Sequence, residues 1–209
     1  MVALRNIAFR NIAIFALAAC TLSLAAPASA QLYSEGFKFL KAVKDKEGDD
    51  ATEMLNAPGS TVVNSRDLTS GETALHLTIA RRDLVWTRWI MQEGGNPNIA
   101  DNRGATPLIR AVETGFIEGV EALIAGGAHV DVANRTGETP LIAAVHTRNI
   151  PLMQVLLRAG ADPDRTDNAG RSARMYAEER GAADRALAVI EELAKPVGER
   201  ERRNYGPSF

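Results

Sequence analysis

Apolar and polar residues between positions 104 and 115 alternate with a helical spacing. Leu108, Ala111 and Val112 recur at i, i+3 and i+4, so they fall on one face of a helix. A threonine followed by proline precedes them, and this pair is typical of a helix start, where the hydroxyl caps free N–H groups. The pattern predicts a short helix from Pro107 to Thr114 that ends at Gly115.

A second apolar segment follows at once and predicts a second short helix. Val120, Leu123 and Ile124 share one face of a helix over residues 117–125. Gly127 is placed to end that helix in the left-handed conformation. The polar stretch that comes next, AHVDVANRT, predicts an extended arm. Neither helix can bury its apolar face alone, so a neighbouring copy is required.

Such copies exist, because the pattern recurs every 33 residues without a gap. A glycine marks each joint, at Gly71, Gly104, Gly137 and Gly170. A hydroxyl residue follows two positions later, at Thr73, Thr106, Thr139 and Ser172. A further glycine recurs at Gly94, Gly127 and Gly160. The sequence therefore predicts a repeat array.

The repeated motif resembles the ankyrin repeat. The resemblance rests on Gly-x-Thr-Pro-Leu, on the pair of short helices, and on Gly-Ala-Asp-Pro-Asp at residues 160–164. It implies an all-α fold, a solenoid of stacked helix-turn-helix units joined by β-hairpin-like arms. We assign four units to residues 71–195, namely 71–103, 104–136, 137–169 and a C-terminal cap over 170–195.

Some positions depart from the family pattern. The family's histidine is kept only as His76, which the resemblance implies bonds neighbouring turns; Ile109 and Ile142 replace it. Arg174 stands where leucine is expected, and the last unit is more charged, as suits a terminal unit with a polar outer face.

Residues 31–70 predict a degenerate N-terminal capping repeat. Its first apolar face is predicted to consist of Phe37, Leu40 and Val43, and a second apolar face follows over residues 51–55. Residues 57–60, APGS, end the second segment. At the other end of the chain, residues 196–209 mix charge, glycine and proline and predict a disordered tail.

Residues 1–30 predict a secretory signal peptide. An apolar run ends in APASAQ, which offers a cleavage site between Ala30 and Gln31 and predicts a periplasmic location in a bacterium. Cys20 supports an alternative, because LAAC resembles a lipoprotein signal that would anchor the chain to the membrane. Without that lipid we expect no membrane insertion after signal removal.

No residue pattern indicates catalysis, a cofactor or a metal site. The three histidines occupy different positions of the repeat, and the acids are spread one per unit rather than paired across a cleft. The net charge of −2 does not favour a nucleic-acid partner. Trp86 and Trp89 lie three residues apart on one predicted helix; they either pack against residues 40–55 or form an aromatic pair that stacks on a ligand.

We therefore expect a monomeric, non-enzymatic scaffold that binds another protein. By resemblance, the concave face uses the arm tips and the exposed ends of the first helices, whose residues vary between units. The candidate contacts are Glu72, Arg81, Asn102, Arg103, Ala105, Glu113, Thr114, Arg135, Thr136, Glu138, His146, Thr147, Asn168 and Arg171. Among them Arg103, Arg135 and Arg171 are expected to form a row. The alternatives are a structural lipoprotein and, less favoured, a small-ligand protein or an enzyme on the same frame.

Overall fold

The computed structural model describes residues 28–179, 181 and 185–194, with side chains described from residue 35. Within those ranges the chain is all-α, and it contains no β-strand. The α-helices are α1 (Ala28–Asp45), α2 (Gly48–Asn56), α3 (Ala74–Ala80), α4 (Leu84–Gln92), α5 (Pro107–Glu113), α6 (Ile117–Ala125), α7 (Pro140–His146), α8 (Ile150–Arg158), α9 (Ala173–Glu179) and α10 (Arg185–Leu193), and a 3-10 helix spans Val62–Asn64.

The helices stack in two layers. The first helix of each unit packs on the first helix of the next, in the order α1, α3, α5, α7 and α9. The second helices α4, α6, α8 and α10 pack in series behind them and form the outer layer. The all-α solenoid predicted from the repeat is confirmed.

Helix starts follow the chemistry that the sequence predicts. The hydroxyl of Thr106 accepts a hydrogen bond from the N–H of Ile109 at 3.4 Å, and Pro107 fills the first helical position without losing a bond. Thr139 caps α7 in the same way. The predicted bounds of the second helix, residues 117–125, are confirmed in α6.

The turns between paired helices share a left-handed residue. One residue with a positive φ occurs between the helices of each of the five pairs, at Lys46 (62°), Arg82 (55°), Gly115 (67°), Arg148 (54°) and Gly181 (85°). Left-handed backbone is unfavourable for a residue with a side chain, so its recurrence at Lys46 shows that α1 and α2 join by the same turn as the later helix pairs.

The N-terminal helix buries a different aromatic residue from the one that the sequence pattern predicts. Phe39 is fully buried, together with Leu40 and Val43, whereas Phe37 is 61% exposed. The prediction that Phe37 belongs to the packed face is wrong. A spacing of three residues places Phe37, Leu40 and Val43 close together on a helix. Which face of α1 packs against α3, however, depends on the position of α3.

Most of the predicted signal peptide and all of the predicted tail lie outside the described residues. Residues 1–27 and 195–209 are not described, and the proposed cleavage site between Ala30 and Gln31 falls within α1, which is described from Ala28. Among the described helices, none is long and apolar enough to cross a membrane.

Candidate protein-binding face

The arms between units are tight turns closed by side-chain oxygens. In the arm before α5, Oδ1 of Asp101 accepts hydrogen bonds from the N–H groups of Arg103 (2.8 Å) and Ala105 (2.9 Å). The other arms use the equivalent Asp67, Asn134 and Asp167. A hairpin hydrogen bond also closes each arm, for example from Asp101 N–H to the carbonyl of Ala105. The arms are therefore hairpin-like in bonding without forming strands.

These hydrogen bonds favour the charged form of the arm carboxylates. Burial alone would raise the pKa of Asp101, but the N–H groups of Ala105 and Arg103 outweigh it and the pKa is lowered. Hydrogen bonds from the Tyr176 hydroxyl and the Arg171 N–H lower the pKa of Asp167. Asp67 has its pKa lowered chiefly by the N–H of Ser70. The three arms that contain an aspartate are thus closed by an ionised carboxylate, whereas the arm of Asn134 uses a neutral amide.

Adjacent arms are bonded into a ladder. Nδ2 of Asn102 donates to the carbonyl of Thr69 at 2.9 Å, and Nδ2 of Asn168 donates to the carbonyl of Arg135 at 2.8 Å. Between them, the N–H of Arg135 donates to the carbonyl of Arg103 at 3.2 Å. The amides of Asn102 and Asn168, predicted as contacts, therefore bind the neighbouring arm.

Three joint glycines, Gly71, Gly104 and Gly137, are required by this close approach. At Gly71, whose φ angle is 75°, an added Cβ would lie 2.7 Å from the backbone nitrogen of Asn102. Gly104 and Gly137 have φ angles of 79° and 81°. A Cβ added at Gly104 would lie 2.8 Å from the backbone nitrogen of Arg135, and one at Gly137 would lie 2.5 Å from that of Asn168. A side chain at any of these positions would push the arms apart.

His76 connects one unit to the next. Its Nδ1 accepts a hydrogen bond from the N–H of Thr73 at 3.1 Å, so Nε2 carries the proton and donates to the carbonyl of Ala105 at 3.0 Å. Burial lowers the pKa of His76, which keeps the ring neutral. The side chain of Ala105 is itself buried, so this predicted contact residue contributes to the frame.

The buried histidine makes stability depend on pH. Because its pKa is lower in the fold than the ordinary 6.5, the unfolded chain binds the proton more tightly. The stability that the neutral His76 ring contributes is therefore fully present above pH 6.5 and is lost as the pH falls below 6.5. His76→Ile introduces the residue found at positions 109 and 142. It should reduce the slope of the free energy of unfolding against pH, which for one proton is at most about 1.4 kcal/mol per pH unit. Urea unfolding of both proteins between pH 7.5 and 5 measures it; equal slopes would contradict a neutral buried His76.

The predicted row of arginines is partly assembled. The Arg103 side chain is 66% exposed, with Nη2 3.3 Å from Oδ2 of Asp101. Arg135 is exposed on the next arm. Arg171 lies differently, because its guanidinium stacks 4.2 Å above the ring of Tyr176 and Nη1 lies 2.8 Å from Oε1 of Glu179. The structure brings Arg103 and Arg135 together and turns Arg171 onto the first helix of its own unit.

A cluster of charges occupies the first helices at the centre of the array. Arg110 lies 3.2 Å from Oε1 of Glu72, 3.3 Å from Oε2 of Glu113 and 3.8 Å from Oδ2 of Asp101. Glu72 and Glu113 were predicted as contacts, but Arg110, which joins them, was not. Its repeat position holds Leu77, Arg110, Ala143 and Tyr176, and that variation between units is the signal that identifies it.

A second cluster lies toward the C-terminal unit. Nδ1 of His146 is 2.9 Å from Oε1 of Glu138, and the His146 ring meets the Tyr176 ring edge to face at 4.5 Å. The Tyr176 hydroxyl donates to Oδ2 of Asp167 at 2.6 Å. His146 and Glu138 were predicted; Tyr176 is a further member of the surface that sequence reasoning missed.

Other residues that were predicted as contacts form hydrogen bonds within the protein. The hydroxyls of Thr114 and Thr147 donate to carbonyls of their own helices. Thr136 is exposed at an arm tip, and its hydroxyl donates to Oδ1 of Asn134 at 2.6 Å. Nη1 of Arg81 donates to the carbonyl of Val43 at 2.6 Å and so caps α1. We use the name arm face for the exposed side chains of the arm tips and first helices, from Glu72 to Arg171.

Nothing in the arm face resembles a metal site. No group of three or more histidine, cysteine, aspartate or glutamate side chains suited to a metal occurs in the described part of the chain. Carboxylates on the arm face pair with arginines or with His146.

Comparison with known proteins identifies the family. A family profile described as "Ankyrin repeats (3 copies)" matches residues 39–134 and 115–199. A putative ankyrin repeat protein of fowlpox virus is 40% identical over 29% of this chain and 17% of its own length. An oxysterol-binding protein homolog of Saccharomyces cerevisiae is 26% identical over 34% of this chain and 6% of its own length. The chain thus spans less than a fifth of either relative. Because the family profile covers most of the chain, this protein belongs to the ankyrin repeat family.

Proposed function

We propose that this protein is a scaffold that binds a partner protein through the arm face. Ankyrin repeats are generally protein–protein interaction modules, and the family is typically non-enzymatic. The partner is expected to contact exposed side chains of the arm tips and first helices. The central exposed members of that surface are Arg103, Arg135, Thr136 and His146.

The ladder of hydrogen bonds between arms is the observation that carries the proposal. Asn102 and Asn168 hold neighbouring arms together, while the residues beside them, such as Arg103 and Thr136, project into solvent. A surface fixed before binding loses little conformational entropy when a partner arrives, so more of the contact energy appears as affinity. Framework positions recur in every unit, but the exposed positions differ, which allows a specific partner.

Photo-crosslinking tests the proposed face. Benzoylphenylalanine at position 136, on the arm face, should form an adduct with the partner when cells are irradiated. The matched control places the same residue at position 121, an exposed glutamate on outer helix α6. Adducts formed equally at both positions, or only at 121, would contradict binding through the arm face.

We also propose that the scaffold works in the bacterial envelope after removal of residues 1–30. The supporting observation is the apolar run that ends in APASAQ. Cleavage there would leave Phe39 and the rest of the packed part of α1 in place. Intact-mass measurement of the protein purified from the envelope should give an N-terminus at Gln31. A chain beginning at a lipid-modified Cys20 would instead support the anchored, structural alternative.

A further inference from the structure

A cleft separates the outer helices of the first two units. The outer helices α4, α6, α8 and α10 pack in series, but α2 makes no comparably extensive contact with α4. A cavity of about 300 Å³ lies between them. It is lined by Gly48, Asp49 and Thr52 on α2 and by Val85, Trp86 and Trp89 on α4.

Bonds near both ends of α4 join it to the preceding segment of the chain. At one end, Nζ of Lys46 lies 2.8 Å from Oδ2 of Asp83. At the other, Nδ2 of Asn64 donates to the carbonyl of Gly94, and the N–H of Asn96 donates to Oδ1 of Asn64 at 2.7 Å. The turn before α2 and the 3-10 helix are therefore bonded to the two ends of α4, whereas α2 itself contacts α4 little.

The α4 wall of the cleft is aromatic and suited to a cation. The rings of Trp86 and Trp89 meet edge to face, with centroids 5.0 Å apart. The guanidinium of Arg81 already lies 5.6 Å from the centroid of the Trp86 ring. Tryptophan faces attract cations more strongly than other aromatic rings do. Beside them Val85 is 76% exposed and offers an apolar contact at the rim.

The α2 wall is acidic. Every charged residue of α2 is a carboxylate, and Asp49 lines the cleft directly. Glu47 immediately precedes α2, whereas Asp50 and Glu53 line a separate pocket with Lys38, and all four carboxylates are exposed. A carboxylate in the first turn also stabilises a helix start, but Glu53 lies beyond that turn. Across the cleft, α4 contributes a single basic residue, Arg88.

We propose that this cleft binds an arginine or lysine side chain flanked by apolar residues, presented by a segment of a partner protein. The cation would lie between the indole rings and the Asp49 carboxylate, which have complementary charge. The apolar neighbours would cover Val85, a contact that a small free cation would not make. This site belongs to the outer helices and is independent of the arm face.

Tryptophan fluorescence tests the proposal directly, because the chain has only two tryptophans and both line the cleft. The probe is an acetylated, amidated peptide of alternating leucine and arginine, six residues long, titrated into the full chain at low salt. We expect a saturable change in emission. The matched peptide of alternating leucine and glutamate should cause none.

Variants separate cleft binding from general charge attraction. Asp49→Asn should weaken binding of the arginine peptide about threefold, as expected for a partly exposed charge pair. Thr52→Lys should abolish it by placing a cation in the cleft. Glu118→Gln is the control, since Glu118 occupies on α6 the position that Asp49 occupies on α2. Unfolding midpoints close to that of the parent confirm that each variant folds.

Four results would show that the cleft does not recognise the arginine peptide. These are no saturable change with the arginine peptide, an equal response to the glutamate peptide, unchanged affinity in both Asp49→Asn and Thr52→Lys, and an equal loss in Glu118→Gln. N-acetylargininamide binding as tightly as the peptide would show a site for a small cation and would contradict the assignment to a protein segment.

Discussion

Replacing Phe39 with alanine is expected to lower the free energy of unfolding by about 3–5 kcal/mol, the usual cost of removing a buried phenylalanine side chain. Phe39 is fully buried in α1, which packs against α3 and covers the N-terminal end of the array. Each unit of a repeat protein contacts only its neighbours, so a loosened cap also exposes the apolar face of the next unit.

Phe37 provides a matched control on the same helix. It is 61% exposed, so Phe37→Ala should change the free energy of unfolding by no more than about 0.5 kcal/mol. Urea unfolding followed by circular dichroism measures both variants. Small effects for both would show that α1 is not packed as a cap, and equally large effects would show that both rings are buried.

Local features of the fold were predictable from the sequence. The helix over residues 117–125 follows from apolar spacing, and the helix starts follow from Thr106-Pro107 and Thr139-Pro140. Gly104 and Gly137 stood out by their 33-residue spacing, which reflects backbone approach between arms. These features depend on residues close in sequence or on strict repetition, and so a single chain reveals them.

Features that depend on the relative position of helices were not predictable. The pattern in α1 fits Phe37 or Phe39 until the position of α3 is known. Likewise, the connection over residues 57–73 is longer than those over 93–106, 126–139 and 159–172, so the 33-residue register does not predict the distance between α2 and α4. Trp86 and Trp89 were recognised as a pair, but their sequence spacing does not tell whether α2 covers them.

The candidate site, too, was predictable from the sequence only in part. The family resemblance indicated the arm tips, yet the sequence did not separate side chains that hold the arms, such as Asn102, from those that project, such as Arg103. Variation at its repeat position marks Arg110 as a candidate, but its ion pairs with Glu72 in the preceding unit and with Glu113 were not predictable. Such contacts cross between repeats, and a one-dimensional register does not display them.

The second large effect is expected at the arm tips. Arg103 and Arg135 lie on adjacent arms joined by a backbone hydrogen bond, and both are exposed. Arginine contributes strongly to protein interfaces because its planar guanidinium makes several hydrogen bonds and stacks on aromatic rings. Arg171 is a poorer choice for this test, since its ion pair with Glu179 would mix stability with binding.

The affinity of the Arg103→Ala/Arg135→Ala variant for the photo-crosslinked partner tests the central claim most directly. The control is Arg88→Ala/Arg158→Ala, which removes two exposed positive charges from outer helices α4 and α8. Calorimetric titration should show at least tenfold weaker binding for the arm variant, about 1.4 kcal/mol, with the control and both unfolding midpoints little changed. Equal affinities for the arm variant and the parent protein would contradict binding through the arm face.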